Sequence, residues 1–380
     1  MPVIEFDPSM HRHEAPPGDG RGSSLTTPEA HETLPLYDQE ILGTGLSHGT
    51  GNRILSDVVR LGANVTVLTR NPDNLAVTIK ELNDAQERGE ISREIDLEQS
   101  IRPIQADFTN RESIITAAYL MRNELVKRGK MFDAVIHASA AGMEPFTTRD
   151  KFVGGLVNLR GVKKRGTPEQ FAEARDSLQA DLAGWIADAL PNAMEVNYHG
   201  PTRLLHFLNP HMHGPILKEG GKFINFASGW TDQVGQPGVN VPYWYEVPVA
   251  LPKQAFDREL QRDGTRQAHE ANGLYPYTVV GQVVEDTDVG KMFNTLIFPL
   301  MDPEEQKRYR AETKPMVMAD MSKAVEIILR SDPHAPEIWI PGQPRKLYVL
   351  GPTGTPEEAA TNITREIPRD HPMLTFRSPI

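Results

Sequence analysis

Apolar residues along the chain fall into two alternating patterns. Short runs rich in β-branched and aromatic residues predict strands: EILGTG (40–45), NVTVLTR (64–70), SIRPIQADF (100–108), FDAVIHAS (132–139), GGKFINFAS (220–228), YTVVGQVVE (277–285) and KLYVLG (346–351). Helical periods lie between them. NRILSDVVRLG (52–62) sets Ile54, Leu55, Val58, Val59 and Leu61 on one face and stops at Gly62. A polar helix is predicted near 75–97, another over 111–129, and an amphipathic one in PEQFAEARDSLQADLAGWIADAL. MADMSKAVEIILRSDPHAP (318–336) has apolar residues at helical spacing and reads as core. Strands alternating with helices predict right-handed crossovers. The fold class expected is α/β, a doubly wound parallel sheet with helices on both faces.

Residues 1–37 are rich in Pro, Gly, His, Ser and Thr without an apolar period, and read as a flexible arm. One domain is expected over 38–355, followed by a polar, Pro-rich tail at 356–380. The 380 residues, 39% apolar and 24% charged, suffice for a large core. Forty Lys and Arg against fifty-one Asp and Glu leave a net charge of −11, which argues against nucleic acid or an anionic membrane surface as the main partner. A small anionic ligand needs only one local basic pocket and stays open. The absence of cysteine excludes a disulfide framework, a thiolate zinc site and a cysteine nucleophile. No apolar run is of membrane-spanning length, and MPVIEFDPSMHRHEAPPGDGRG lacks the apolar core of a signal peptide, so a cytoplasmic protein is expected.

The first strand runs into Thr44-Gly45-Leu46-Ser47-His48-Gly49-Thr50-Gly51 and then directly into a helix. Glycines there permit a tight turn and let backbone N–H groups approach a pyrophosphate at the positive end of that helix. The strand–turn–helix–strand context makes dinucleotide binding the expected function of the turn.

The spacing Thr-Gly-x-x-x-Gly-x-Gly resembles the short-chain dehydrogenase/reductase family, and other strings between Glu40 and Gly351 agree with that resemblance. Asp107 matches the family's acidic residue near the adenine. His137-Ala138-Ser139-Ala140 stands where the family has Asn-Asn-Ala-Gly, and Asn197-Tyr198-His199-Gly200 matches its Asn-x-x-Gly. Ser228 sits at the place of the catalytic serine, Lys253 resembles the catalytic lysine, and Thr287 stands where a threonine meets the nicotinamide carboxamide. The resemblance implies a Rossmann-type domain with Gly45, Ser47, His48, Gly49, Thr50, Gly51, Arg70, Asp107, Ala138, Ser139, Lys253 and Thr287 as cofactor residues. It also implies a homo-oligomer, because members are often dimeric or tetrameric.

The second strand ends Leu68-Thr69-Arg70-Asn71 with no carboxylate for a ribose 2′-hydroxyl. The Arg70 guanidinium suits a 2′-phosphate, and His48 is at a position often basic in NADP-preferring members, so NADP(H) is the expected cofactor. In the family a tyrosine passes a proton to the carbonyl oxygen, a lysine lowers its pKa and holds ribose, a serine orients the carbonyl, and an asparagine anchors a water relay. The usual Tyr-x-x-x-Lys would put tyrosine at position 249, which is Val249. The enlarged segment 230–252 carries Tyr243 and Tyr245 instead, with Tyr245 the preferred acid; the alternative is that both are packing residues. Catalytic candidates are therefore Ser228, Tyr245, Tyr243, Lys253 and Asn197.

Ser228 favours ketone or alcohol chemistry over enoyl reduction, and both stay open beside a nucleotide-binding protein without turnover. A second segment longer than in the family, 143–190, carries Lys151, Lys163, Lys164 and Arg165. Those cations are either a solvated loop or a receiver for an anionic or carrier-bound substrate. By position, 143–190 and 230–252 are expected to cover the substrate cleft. His206, His211 and His213 have no paired carboxylate at ligand spacing, and no metal is expected.

Overall fold

The computed structural model describes residues 34–140, 148–208, 216–228, 247–261, 269, 273–281, 286–304, 306–307, 317–330 and 348–350. The expectations for the N-terminal arm before Leu34, for Tyr243 and Tyr245, for His211 and His213, and for the C-terminal tail lie outside the described residues.

Seven strands form one sheet in the order β3-β2-β1-β4-β5-β6-β7. They are β1 (Glu40–Thr44), β2 (Asn64–Thr69), β3 (Ile101–Gln105), β4 (Phe132–His137), β5 (Leu217–Ser228), β6 (Leu274–Gly281) and β7 (Tyr348–Leu350). The first six are parallel, as the strand–helix alternation predicts. The seventh, β7, read from KLYVLG as continuing the series, runs antiparallel to β6 at the edge of that sheet. An edge strand has one neighbour and no crossover to satisfy, so it takes either direction. The order reverses between β1 and β4, and in open α/β sheets the crevice at such a reversal is where ligands sit.

The described helices are α1 (Gly49–Arg60), α2 (Leu75–Glu87), α3 (Leu97–Ser100), α4 (Arg111–Arg128), α5 (Thr148–Arg165), α6 (Pro168–Met194), α7 (Gly200–Leu208), α8 (Val247–Gln261), α9 (Asp288–Met292) and α10 (Met318–Arg330). The polar helix expected over 75–97 stops at Glu87, because Arg88 leads into Gly89 with φ +77°, a backbone state that ends a helix.

Strand alternation sends each sheet face into its own core. Ile41, Val65, Val67, Ile136, Ile224 and Val279 pack with α1, α2 and α10 on one face. Leu42, Leu68, Val135 and Phe223 pack with α4, α7 and α8 on the other. Leu34 and Leu36 are buried in the first core, and Leu36 N–H donates to the Leu61 carbonyl at 2.9 Å. Leu34 and Leu36, inside the stretch read as an arm, are thus part of the packed core.

A third apolar cluster stands apart from the sheet. It joins α5 and α6, through Phe152, Leu156, Leu159, Leu178 and Leu182, to Phe293, Ile297, Leu300 and Met301. A capping box at Thr167 and Gln170, with Pro168 at the first helical position, starts α6 immediately after α5 ends. The 143–190 segment is thus largely a helical hairpin resting on the chain that follows β6.

Candidate active site

Thr44 closes β1, and the chain turns through Gly45 at φ +70° and Gly49 at φ +52° into α1. A Cβ on Gly45 would lie 2.4 Å from the Ser139 backbone, and one on Gly51 would lie 1.9 Å from the Gly45 carbonyl oxygen. Those glycines are dictated by the fold itself, since backbone fills the space a side chain needs. Gly49 differs: among the described residues nothing lies within 4 Å of its would-be Cβ. His48 precedes α1 in an extended conformation and gives the helix no side-chain cap, and Asn52 N–H donates back to the His48 carbonyl at 3.1 Å. Gly49, Thr50 and Gly51 form the first turn of α1, where N–H groups have no intrahelical acceptor and the helix end is positive, the kind of donor set a pyrophosphate requires. The turn fits a dinucleotide.

The end of β2 lies beside this cradle. Thr69 Oγ1 is 3.5 Å from Ser47 Oγ, and Ser47 Oγ is 3.1 Å from His48 Nδ1. The next residue, Arg70, is exposed, with its carbonyl accepting from Gln105 Nε2 at 3.3 Å. Asp107, just past β3, holds a local turn by accepting from Thr109 N–H at 2.9 Å and Thr109 Oγ1 at 2.7 Å. Ala138 and Ser139 follow β4 directly, and Ala138 N–H donates to the Thr44 carbonyl at 2.9 Å, so this segment and the glycine turn brace each other.

Asn197 is fully buried, in a π-helical turn (Glu195–His199) that joins α6 to α7. Such turns are wider than α-helix and re-aim the side chain they carry. Ser228 ends β5, paired in register with Gly281 of β6, at the carboxyl edge of the sheet. Lys253, on α8, is buried and donates from Nζ to the Phe226 carbonyl at 2.9 Å. Val249 lies in the same helix. Thr287 accepts from Gly290 N–H at 3.0 Å and caps α9.

His137, the last residue of β4, has the most perturbed surroundings. Its Nδ1 lies 2.7 Å from Thr44 Oγ1, and its ring stacks near Phe108 and Phe223 and meets Phe256 edge-on. Complete burial, with a smaller contribution from the Lys253 charge, pushes its pKa from 6.5 down to about 3, so the imidazole is neutral. Thr44, His137, Asn225 and Thr278 occupy one register row across β1, β4, β5 and β6. Sequence reading missed Thr44, Asn225 and Thr278 as a set. The available signal was a polar residue near the end of each otherwise apolar strand.

The basic cluster on α5 is partly spent on structure. Lys163 Nζ donates to the carbonyls of Pro299, Leu300 and Met301 at 2.9, 3.0 and 2.9 Å, and Arg160 Nη1 donates to the Thr295 carbonyl at 2.8 Å. Lys163 thus terminates a helical segment from outside, where orphan carbonyls need donors. Among the described residues no helix is long and apolar enough to cross a membrane, and no cluster of three or more His, Cys, Asp or Glu is placed to hold a metal.

No protein-family model matches the chain, and no curated protein does. Solved structures are similar to it. A short-chain type dehydrogenase/reductase from Mycobacterium ulcerans is 18% identical with a TM-score of 0.48, over 78% of this chain and 84% of that one. A promiscuous reductase, LugOII, which catalyses a keto-reduction during lugdunomycin biosynthesis, is 16% identical with a TM-score of 0.49, over 78% and 92%. A short chain dehydrogenase from Escherichia coli CFT073, solved with NADPH, is 16% identical with a TM-score of 0.48, over 79% and 94%.

Proposed function

We propose that this protein is an NADP(H)-dependent oxidoreductase of the short-chain dehydrogenase/reductase type, reducing a carbonyl group or oxidising the matching alcohol. The observation that carries the reading is the glycine turn: two glycines demanded by close backbone contacts, and a third, Gly49, that opens onto free space at an uncapped helix start. Gly45, Ser47, His48, Gly49, Thr50 and Gly51 would hold the pyrophosphate, and exposed Arg70 the 2′-phosphate. Asp107, Ala138 and Ser139 would border the adenosine half, and Thr287 and Lys253 the nicotinamide half. When bound, NADP(H) supplies or takes the hydride. Ser228 at the end of β5 orients the substrate oxygen, Tyr245 or Tyr243 exchanges its proton, and Asn197 supports the relay that returns it. The substrate is a small molecule, and the chain works as a cytoplasmic enzyme in this reading.

A second reading, nucleotide binding without turnover, has one observation behind it. Val249 stands where the tyrosine is expected, while the Lys253 ammonium is engaged by the Phe226 carbonyl. Two steps test the proposal. Tryptophan-fluorescence titration with NADPH and NADH is expected to show tighter NADPH binding, weakened about tenfold by Arg70→Ala with NADH unaffected. Ketone and enoyl-thioester panels with NADPH then follow. Binding without turnover on either panel selects the second reading, and no binding of either nucleotide overturns both.

A further inference from the structure

The register row at the carboxyl edge of the sheet is paired at both ends and unpaired in the middle. At one end Thr44 Oγ1 and His137 Nδ1 are 2.7 Å apart; at the other Thr278 Oγ1 donates to Asp257 Oδ1 on α8 at 2.5 Å. Between them stands Asn225, level with His137 on β4 and with Thr278 on β6. Asn225 is only 1% exposed, and among the described residues its Nδ2 has no hydrogen-bond partner. Leaving a buried amide donor unpaired costs about 1–3 kcal/mol, and native interiors fill such places with water when the surroundings are polar. Here they are polar. His137 and Thr278 flank Asn225 in the row, and the carbonyl of the next residue, Phe226, holds the Lys253 ammonium.

We propose that a buried water molecule binds at Asn225, accepting from Nδ2, and joins the Thr44–His137 pair to the Thr278–Asp257 pair. The row then runs without a gap from the strand that feeds the glycine turn to helix α8. A water suits the place because it accepts from the Asn225 amide and still donates to a neighbouring acceptor. Asp257 lies one helical turn after Lys253, so the completed row also fixes the seating of the turn that carries Lys253. This inference depends on the fold and not on the oxidoreductase reading, and it stands or falls without any substrate.

Crystals of the wild-type full chain, refined well enough to show ordered waters, decide it. An ordered water within hydrogen-bond distance of Asn225 Nδ2, also touching His137 or Thr278, is the expected result. An Asn225 amide bonded directly to protein, or a dry gap, overturns it. Asn225→Leu gives an independent sign. If water satisfies the donor, the apolar replacement loses real hydrogen bonds and the melting temperature falls by about 3 °C or more. If the donor is orphaned, removing it leaves the melting temperature unchanged or raises it, and the proposal fails. Should Asn225→Leu not fold, the wild-type crystal alone decides.

Discussion

His137 makes stability depend on pH in a way the structure fixes in sign and size. In the folded chain its pKa is depressed to about 3 by burial among Phe108, Phe223 and Phe256 and by the Lys253 charge; in the unfolded chain it returns to 6.5. As pH falls below 6.5 the unfolded state binds a proton that the folded state refuses, so stability drops with falling pH until the folded pKa is reached. At about 1.4 kcal/mol per pH unit the loss from pH 6.5 to pH 5 is about 2 kcal/mol, whatever the folded value, provided it stays below 5. His137→Asn offers Thr44 a polar partner and no titrating group. It gives up ring contacts worth roughly 1 kcal/mol each, so the variant is less stable at neutral pH. The discriminating quantity is the difference between wild type and variant at two pH values. Urea unfolding at pH 7.5 and pH 5.0 should show that difference shrinking by about 2 kcal/mol, roughly 0.7 M in midpoint at a slope of about 3 kcal/mol per M. A difference that stays constant between the two pH values would refute a buried neutral His137, because every other titrating group is common to both proteins.

Four other variants each probe a single contact. Gly51→Ala puts a Cβ 1.9 Å from the Gly45 carbonyl oxygen, so the turn must rebuild and NADPH binding is expected to vanish with a lowered melting temperature. Gly49→Ala meets no atom and costs about 1 kcal/mol for its left-handed backbone, so NADPH affinity should fall well beyond the stability loss; equal losses would mean that no ligand uses that space. Glu40 is 1% exposed and pairs with Arg128 at 2.7 Å and Arg102 at 3.2 Å, so Glu40→Gln leaves two guanidinium groups uncompensated and should cost about 3 kcal/mol in urea unfolding at pH 7.5. A loss under about 1 kcal/mol would show that the pair behaves as a solvated surface pair. Lys163→Met keeps the stem and removes three donors to 299–301, and hydrogen exchange should rise in 293–301 and in α5 by about tenfold while β1, β4 and β5 stay protected. Exchange that rises equally across the sheet would contradict a separate helical unit.

The features legible in the sequence are those fixed by a residue's immediate neighbours. Buried parallel strands read as near-continuous apolar runs, so β1, β2, β4 and β5 were visible within a few residues. The glycine turn was visible because the backbone states at Gly45 and Gly49 are closed to most side chains, a constraint independent of the rest of the molecule. The features that escaped depend on partners distant in the chain. The direction of β7 is decided by edge pairing with β6, and nothing in KLYVLG encodes it. The π-helical turn at Asn197 interrupts a helical pattern that continues on both sides of it. Lys163, read among four cations as a surface cluster, is defined by carbonyls more than 130 positions away.

The polar row shows why the site was only half legible. Thr44, His137, Asn225 and Thr278 lie 93, 88 and 53 positions apart along the chain, and each in isolation is a single polar residue near a strand end. Register turns them into one row, because parallel strands at fixed spacing bring equivalent positions level. Their burial then changes their chemistry: an imidazole that would titrate near neutrality is held neutral, and an amide that would be hydrated is left needing a partner. The glycine turn is a matter of backbone shape, which sequence carries directly. The neighbouring proton chemistry rests on desolvation and register, which exist only once the sheet has formed.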